Sequence, residues 1–124
     1  MPEIGKIGTA NVVVSEKNTA LAVGSGSLNV FSTPMMIALM EEAACNALTD
    51  CLEGGQTSVG TKINIEHVAA SPIGAEVTAT AKVTAIDGRK ISFELTANEG
   101  LKEIGKGTHD RFIVDAEKFM SRLK

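Results

Sequence analysis

The chain has 124 residues, enough for one domain that buries roughly two thirds of the surface its unfolded form would expose. Its net charge is −3 with acidic and basic residues interspersed, so it lacks the basic surface that binds nucleic acid and the polybasic patch that binds membranes. We expect a single domain over residues 1–124, with no nucleic-acid partner and no membrane partner.

The N-terminal segment Met1–Lys6 lacks the charged and apolar regions of a secretory signal, and no run approaches the roughly 18 apolar residues of a membrane span. We therefore expect a cytoplasmic protein. Its two cysteines, Cys45 and Cys51, lie in one helical pattern about 9 Å apart along the axis, too far for a disulfide in a straight helix. Together with His67 and His109 they show no zinc-binding spacing, so we expect no metal and no cofactor.

The first half of the chain predicts two short strands and one long helix. The strands are expected over Gly8–Ser15 and Thr19–Val23. The helix starts at Thr33-Pro34, since threonine is a good N-cap and proline suits the first helical position. It ends near Gly54-Gly55, because a glycine pair stops a helix, and so it should contain about twenty residues.

The second half of the chain is predicted to be mostly β-structure. Apolar and polar side chains alternate from Glu76 onward, as in a sheet with one covered face. Asp87-Gly88 predicts one hairpin, and Asn98-Glu99-Gly100 predicts a second. The expected strands are Thr57–Val68, Glu76–Ile86, Lys90–Asn98 and Lys102–Ile113, and a short helix is expected over Ala116–Lys124.

One long helix followed by a meander of antiparallel strands leaves few ways to bury both elements. The helix must lie across the concave face of a curled sheet. Alanines at positions 38, 43, 44 and 47 keep it slim enough for close wrapping. The expected fold class is therefore α+β, as a hotdog fold in which a curled antiparallel β-sheet wraps a long central helix.

Two neighbouring glutamates on this helix have different surroundings. At about 100° per residue, Glu41 falls roughly 20° from the apolar Leu48, at the margin of the buried stripe, whereas Glu42 lies on the solvated side. A half-buried carboxylate needs a partner or takes up a proton. The alternative is an edge glutamate whose carboxylate reaches solvent.

A histidine interrupts the apolar face of the strand that begins at Thr57. Ile63, Ile65 and His67 share one side of that strand, because side chains alternate between faces. His67 is thus the candidate partner for Glu41. The alternative is a structural histidine bonded to a backbone carbonyl.

Five stretches of the sequence carry a family resemblance over nearly the whole length. They are Val30–Thr33, Leu39–Glu41, Val59–Thr61, His67–Pro72 and Glu103–Arg111. The chain resembles the hotdog-fold acyl-CoA thioesterases, and most closely the fluoroacetyl-CoA thioesterase branch. This resemblance implies a homodimer that hydrolyses small or medium acyl-CoA thioesters to free acid and coenzyme A, with Thr33, Glu41 and His67 as a catalytic triad.

The same resemblance implies a role for each triad member. Thr33 would position substrate or water, and Glu41 would either attack the carbonyl or activate water, two mechanisms that remain open. His67 would orient the carboxylate and relay a proton to the leaving thiolate. Each site would combine Thr33 and Glu41 of one subunit with loop atoms of the other.

Further residues are implied as substrate contacts, namely Gly60, Phe31 and Met36. One position departs from the resemblance, since a lid phenylalanine is expected six residues before the triad threonine and this chain has Ser27 there, within a polar loop. We expect thioester hydrolysis without selectivity for fluoroacetyl groups. A noncatalytic acyl-CoA-binding hotdog protein is the alternative, and a hotdog dehydratase ranks below it. His109 stays outside the triad.

Overall fold

The computed structural model describes residues 2–123 and consists of a curled five-stranded antiparallel sheet with one long helix against it. The strands are β1 (Ile7–Val13), β2 (Gln56–His67), β3 (Glu76–Asp87), β4 (Lys90–Glu99) and β5 (Lys102–Asp115), and the helices are α1 (Ala20–Val23), α2 (Thr33–Leu48) and α3 (Ala116–Ser121). The sheet order is β1-β3-β4-β5-β2, so β1 and β2 are its edges. This arrangement confirms the predicted α+β hotdog architecture.

The long hairpins agree with the sequence-based prediction. Gly88-Arg89 forms the turn between β3, which ends at Asp87, and β4, and Gly100 lies in the turn between β4 and β5. Gly88 and Gly100 have φ angles of 62° and 61°, a left-handed conformation that glycine adopts without steric cost. Continuous antiparallel pairing across these turns produces the meander.

The core lies between α2 and the inner face of the sheet. Its helical members are fully or almost fully buried: Met36, Leu39, Met40, Ala43, Ala44, Ala47 and Leu48. The alanines allow β1 to approach closely, since a Cβ on Gly8 would collide with the helix backbone at Ala43 and Ala47. The expected role of small residues in the helix is thereby confirmed for these positions, whereas Ala38 is exposed.

The segment Thr19–Val23 was wrongly predicted as a strand. Thr19 makes an isolated bridge with Phe31, and the residues after it form the single helical turn α1. The Thr19 hydroxyl accepts a hydrogen bond from the Ala22 amide at 3.1 Å, and Gly24 ends the turn with a φ of 78°. Five residues are too few for periodicity to distinguish a strand from a capped helical turn.

Both ends of α2 differ from the prediction. Ser32, not Thr33, is the N-cap, because its hydroxyl accepts from the Met35 amide at 3.2 Å. Thr33 is the first helical residue, and its hydroxyl is free for another partner. The helix ends after 16 residues, well before the glycine pair. There the Cys51 amide closes a tight turn onto the Leu48 carbonyl at 2.9 Å.

The remaining predictions concern the C-terminal helix and the cysteines. Helix α3 covers Ala116–Ser121, with Asp115 as its N-cap, and Lys124 lies outside the described residues. Cys45 and Cys51 are both free thiols. Within residues 2–123, no helix is long and apolar enough to cross a membrane.

Candidate active site

Two of the predicted site residues, Gly60 and His67, lie on the edge strand β2. A register shift beside Gly60 places Thr61 in a β-bulge. Gly60 and His67 are seven positions apart, so strict alternation would place them on opposite faces. Because the bulge adds one extra residue between them, Gly60 and His67 both lie on the inner face of the sheet. There Gly60 pairs with the buried Arg111.

Thr33 and His67 form a polar pair at the start of α2. The Thr33 Oγ1 atom lies 2.8 Å from Nδ1 of His67. The other ring nitrogen, Nε2, is buried and makes no hydrogen bond of good geometry with any atom of residues 2–123. Burial lowers the pKa of His67 below its ordinary value, and a smaller opposing effect comes from the backbone of Ala69. A neutral imidazole with its proton on Nε2 can accept from the hydroxyl, as a general base does.

This pair opens into a groove of about 340 Å³. Phe31, one of the predicted substrate contacts, lines the groove together with Thr33 and His67, and Ser25 contributes from the loop that follows α1. Ser27, at the position where a lid phenylalanine was expected, is an exposed residue of that loop. The groove therefore has no aromatic side chain from the lid position.

Met36 lies in a different environment from Phe31. Its side chain is fully buried between α2 and β5, where a Cβ on Gly105 would lie 2.5 Å from its sulfur. Met36 therefore packs in the core behind the groove and does not line it.

The helical phase of the two glutamates is as predicted. The Glu41 side chain is 41% exposed, at the margin of the buried stripe, and Glu42 is exposed. The partners of Glu41 differ from the prediction, however. Its Oε2 atom lies 3.3 Å from Nη1 of Arg111 and 3.9 Å from Nε2 of His109. Within one subunit, the structure does not bring Glu41 to His67.

Gly60 lies directly against this carboxylate. A Cβ added to Gly60 would lie 2.7 Å from Oε2 of Glu41, 3.3 Å from Cε1 of His109 and 3.4 Å from Nη1 of Arg111. Glycine is thus the residue that lets the strand backbone approach the cluster. Gly60 therefore lies beside the Glu41 carboxylate, and its role as a substrate contact stays a prediction.

Sequence reasoning missed Arg111 and Ser58. Arg111 is 7% exposed, and its guanidinium donates from Nε to the Ser58 hydroxyl at 2.8 Å and from Nη2 to the Ser58 carbonyl at 3.0 Å. A usable signal was present in β5, since His109 and Arg111 lie four and two residues before the apolar Ile113 and therefore share its face of the strand. Two ionisable side chains on a buried face indicate a polar network.

The described part of the chain contains no group of three or more His, Cys, Asp or Glu side chains that could hold a metal ion. The arrangement instead offers two clusters of polar groups on one inner face. One is the Thr33–His67 pair, and the other is the Glu41–Arg111–His109 cluster beside Gly60. Together they provide a hydroxyl, an imidazole and a carboxylate, which are groups suited to acyl transfer.

Comparison with solved structures defines the fold class. The chain superimposes on a hot-dog-like protein from Thermanaerovibrio acidaminovorans with a TM-score of 0.89, at 23% identity, over 98% of this chain and 90% of that chain. An identity this low supports the fold alone. The molecule is a hotdog-fold protein.

The sequence profile described as "Fluoroacetyl-CoA-specific thioesterase" matches residues 14–117, and the chain belongs to that family. It is 42% identical over 95 residues to a fluoroacetyl-CoA thioesterase of Streptantibioticus cattleyicolor, covering 77% of this chain and 68% of that protein. A phenylalanine-to-alanine variant of a fluoroacetyl-CoA-specific thioesterase has a crystal structure that matches with a TM-score of 0.92 and 35% identity, covering 99% of this chain and 96% of that chain.

Proposed function

We propose that the protein is an acyl-CoA thioesterase that hydrolyses small or medium acyl thioesters to the free acid and coenzyme A. The observation that carries the proposal is the 2.8 Å contact between Thr33 and His67 at an open groove, in a member of a thioesterase family. A hydroxyl beside a neutral imidazole can position substrate or water and move a proton. A histidine with only a structural role, bonded to a backbone carbonyl, would have no reason to line an open groove together with Thr33.

The complete site forms between two subunits in this proposal. Thr33 and Glu41 are eight residues apart on one helix, so about 12 Å of axial rise separates them. In this proposal, one thioester carbonyl contacts the Thr33 hydroxyl of one subunit and the Glu41 carboxylate of the other. The expectation that Thr33 and Glu41 of the same subunit share a site is therefore revised to Thr33 and His67 of one subunit with Glu41 of its partner.

The edge strand β2 supports this assembly. Among the residues that the structure describes, no strand pairs with its outer backbone edge, and pairing this edge with the β2 of a second copy about a two-fold axis covers it. Antiparallel pairing reverses the strand direction, so the His67 end of one β2 meets the Gly60 end of the other. In the proposed dimer, the Thr33–His67 pair faces the partner's Glu41 cluster.

The proposed chemistry assigns one task to each group. Glu41 attacks the thioester carbonyl or activates water for that attack, and both mechanisms remain candidates. The proton for the leaving thiolate comes from the water that hydrolyses the thioester or, after direct attack, the anhydride formed on Glu41. His67, whose pKa burial lowers, receives this proton and delivers it to the thiolate. Thr33 positions the substrate or the water, and Gly60 lets backbone approach the acyl group.

The acyl group is proposed to be small or medium without tuning to fluoroacetyl. Phe31 lines the groove, and Ser27 provides no aromatic gate over it. Met36 contributes from behind as core packing. The cytoplasmic location expected from the sequence stays a prediction.

Release of free thiol from a panel of acyl-CoAs tests the proposal. With a thiol reagent as the readout, acetyl-CoA and medium-chain acyl-CoAs should release coenzyme A, and Glu41→Gln should abolish most of that rate. Binding of acyl-CoA without thiol release would support the noncatalytic alternative. Hydration of an enoyl-CoA without thiol release would support the dehydratase.

A further inference from the structure

The Glu41 carboxylate depends on Arg111 for its placement in the subunit. Arg111 Nη1 donates to Glu41 Oε2 at 3.3 Å. Two further bonds to Ser58 fix the other edge of the guanidinium, at 2.8 Å to the hydroxyl and 3.0 Å to the carbonyl. Since Glu41 is 41% exposed, it needs such a contact to hold one orientation.

His109 completes the environment of Arg111. Its Nε2 atom lies 3.2 Å from Nη1 of Arg111, and its Nδ1 atom lies 2.7 Å from the Lys62 carbonyl. A guanidinium has donors only, so Nε2 must be the acceptor and carries no proton. The carbonyl of Lys62 accepts only, so Nδ1 carries the proton. The contacts thus define a neutral imidazole with a single tautomer.

The groups that surround the His109 ring come from four elements of the fold, and Arg111 Nη1 is shared between two acceptors, Nε2 of His109 and Oε2 of Glu41. The ionisable groups near the ring are Glu41 from α2, and Arg111 and Asp110 from its own strand β5. Strand β2 contributes the backbone carbonyl of Lys62, and β4 contributes the uncharged ring of Phe93, stacked at 6.0 Å between centroids. A proton on Nε2 would place two N–H groups against each other next to the guanidinium charge.

We propose that His109 is a positioning residue that holds Arg111, and through it Glu41, by acting as a neutral hydrogen-bond acceptor. The inference rests on the proposed role of Glu41 in thioester hydrolysis. Burial is the largest effect on the pKa of His109 and lowers it; the Arg111 charge also lowers it, and these two outweigh the hydrogen bond to the Lys62 carbonyl and the charges of Glu41 and Asp110, which raise it. The neutral acceptor form therefore agrees with the geometry of the contacts. His109 itself does not contact the reacting atoms.

Two substitutions separate positioning from simple packing. His109→Phe keeps a ring in the space but removes the acceptor, so kcat should fall about 10²-fold while KM changes little. His109→Gln restores an acceptor oxygen near the Nε2 position and should recover most of kcat. Phe93→Leu is the matched control. It disturbs the packing against the His109 ring and leaves both hydrogen bonds of His109 in place.

Nitrogen-15 NMR of the histidines provides a readout that does not depend on hydrolysis. The wild-type protein should show His109 as the Nδ1–H tautomer at neutral pH. An Nε2–H tautomer, or a His109→Phe variant with the kcat of the wild type, would overturn the proposal. If the wild-type protein releases no thiol from any acyl-CoA, the thioesterase function fails instead, and the tautomer still tests the contact between His109 and Arg111.

Discussion

Gly60 and Glu41 are in direct contact, with room for a hydrogen atom on Gly60 but not for a methyl group, since a Cβ there would lie 2.7 Å from the carboxylate oxygen. Gly60→Ala should therefore displace the carboxylate and lower kcat by about 10²-fold. Steady-state hydrolysis of acetyl-CoA measures the effect. Gly54→Ala is the control, because a Cβ on Gly54 meets nothing within 4 Å. Normal kcat in Gly60→Ala would show that the close approach has no catalytic purpose.

Glu41 and His67 should act in one chemical step. Glu41→Gln and His67→Ala are each expected to lower kcat/KM by about 10² to 10⁴-fold, since both remove a positioned acid or base. The double variant should be scarcely slower than the worse single variant, because groups that function together are not additive. Rates for acetyl-CoA, with circular dichroism to confirm folding, test this expectation.

Glu42 is the internal control for that series. It lies on the exposed side of α2, next to Glu41 in sequence, so Glu42→Gln should leave kcat/KM nearly unchanged. If Glu42→Gln loses activity and the Glu41 and His67 variants keep it, both the triad and the thioesterase assignment are wrong.

Mixing two inactive variants should restore activity if the site is shared between subunits. A dimer of one His67→Ala subunit and one Glu41→Gln subunit has one site with both wild-type residues. After equal amounts are unfolded and refolded together, about a quarter of the wild-type specific activity should return, since half of the dimers are mixed and each has one working site. No recovery in a sample whose mixed dimers are identified by native mass spectrometry would place the site within one subunit.

The two histidines should make the protein less stable in acid. Burial lowers the pKa of His67 and of His109 below the ordinary value of 6.5 that applies when the chain is unfolded. The unfolded chain therefore binds more protons between 6.5 and the lowered values, so the free energy of unfolding decreases as pH falls through that window. Urea titrations at about pH 7.5 and about pH 5.5 measure the difference. In His109→Gln, the decrease in the free energy of unfolding between the two pH values should be smaller than in the wild-type protein. A decrease as large as that of the wild type would contradict the lowered pKa of His109.

Discrimination between fluoroacetyl-CoA and acetyl-CoA should be weak. Ser27 occupies the position expected for a lid aromatic and lies exposed in the loop after α1. Without an aromatic closing the groove, little distinguishes the two acyl groups, whose sizes are similar. The ratio of kcat/KM values measures the selectivity. A preference of several hundredfold for fluoroacetyl-CoA would show that discrimination arises without an aromatic at this position.

Local patterns were sufficient to predict most of the architecture. The helix, the meander and the difference between Glu41 and Glu42 follow from periodicity, which depends on neighbours a few residues apart. Thr19–Val23 was too short for such a pattern. The predicted N-cap of α2 is one residue too late, because Ser32 and Thr33 are both good N-cap residues. Only the structure shows that the Ser32 hydroxyl caps the helix and that the Thr33 hydroxyl contacts His67.

The partners of Glu41 could not be predicted from local patterns. Its contact with Arg111 joins residues 70 positions apart, and it depends on the register of β5 against β2. Gly60 posed a similar difficulty, because alternation counted back from His67 places it on the outer face. An isolated glycine within a strand, such as Gly60, often marks a β-bulge, but the glycine alone does not give the register, so this reversal of face was visible only in the structure.

The bulge at Thr61 also determines where β2 can change in length. Deleting Thr61 would leave Gly60 paired with Arg111 and His67 on the inner face, because the bulge contains the one residue in excess of regular alternation. Deleting or inserting a residue between Lys62 and His67 would turn one side of the site outward, since a one-residue slip moves a side chain to the opposite face. A change in the length of β2 at the bulge therefore preserves the site, whereas a change in length within the six residues that follow the bulge disrupts it.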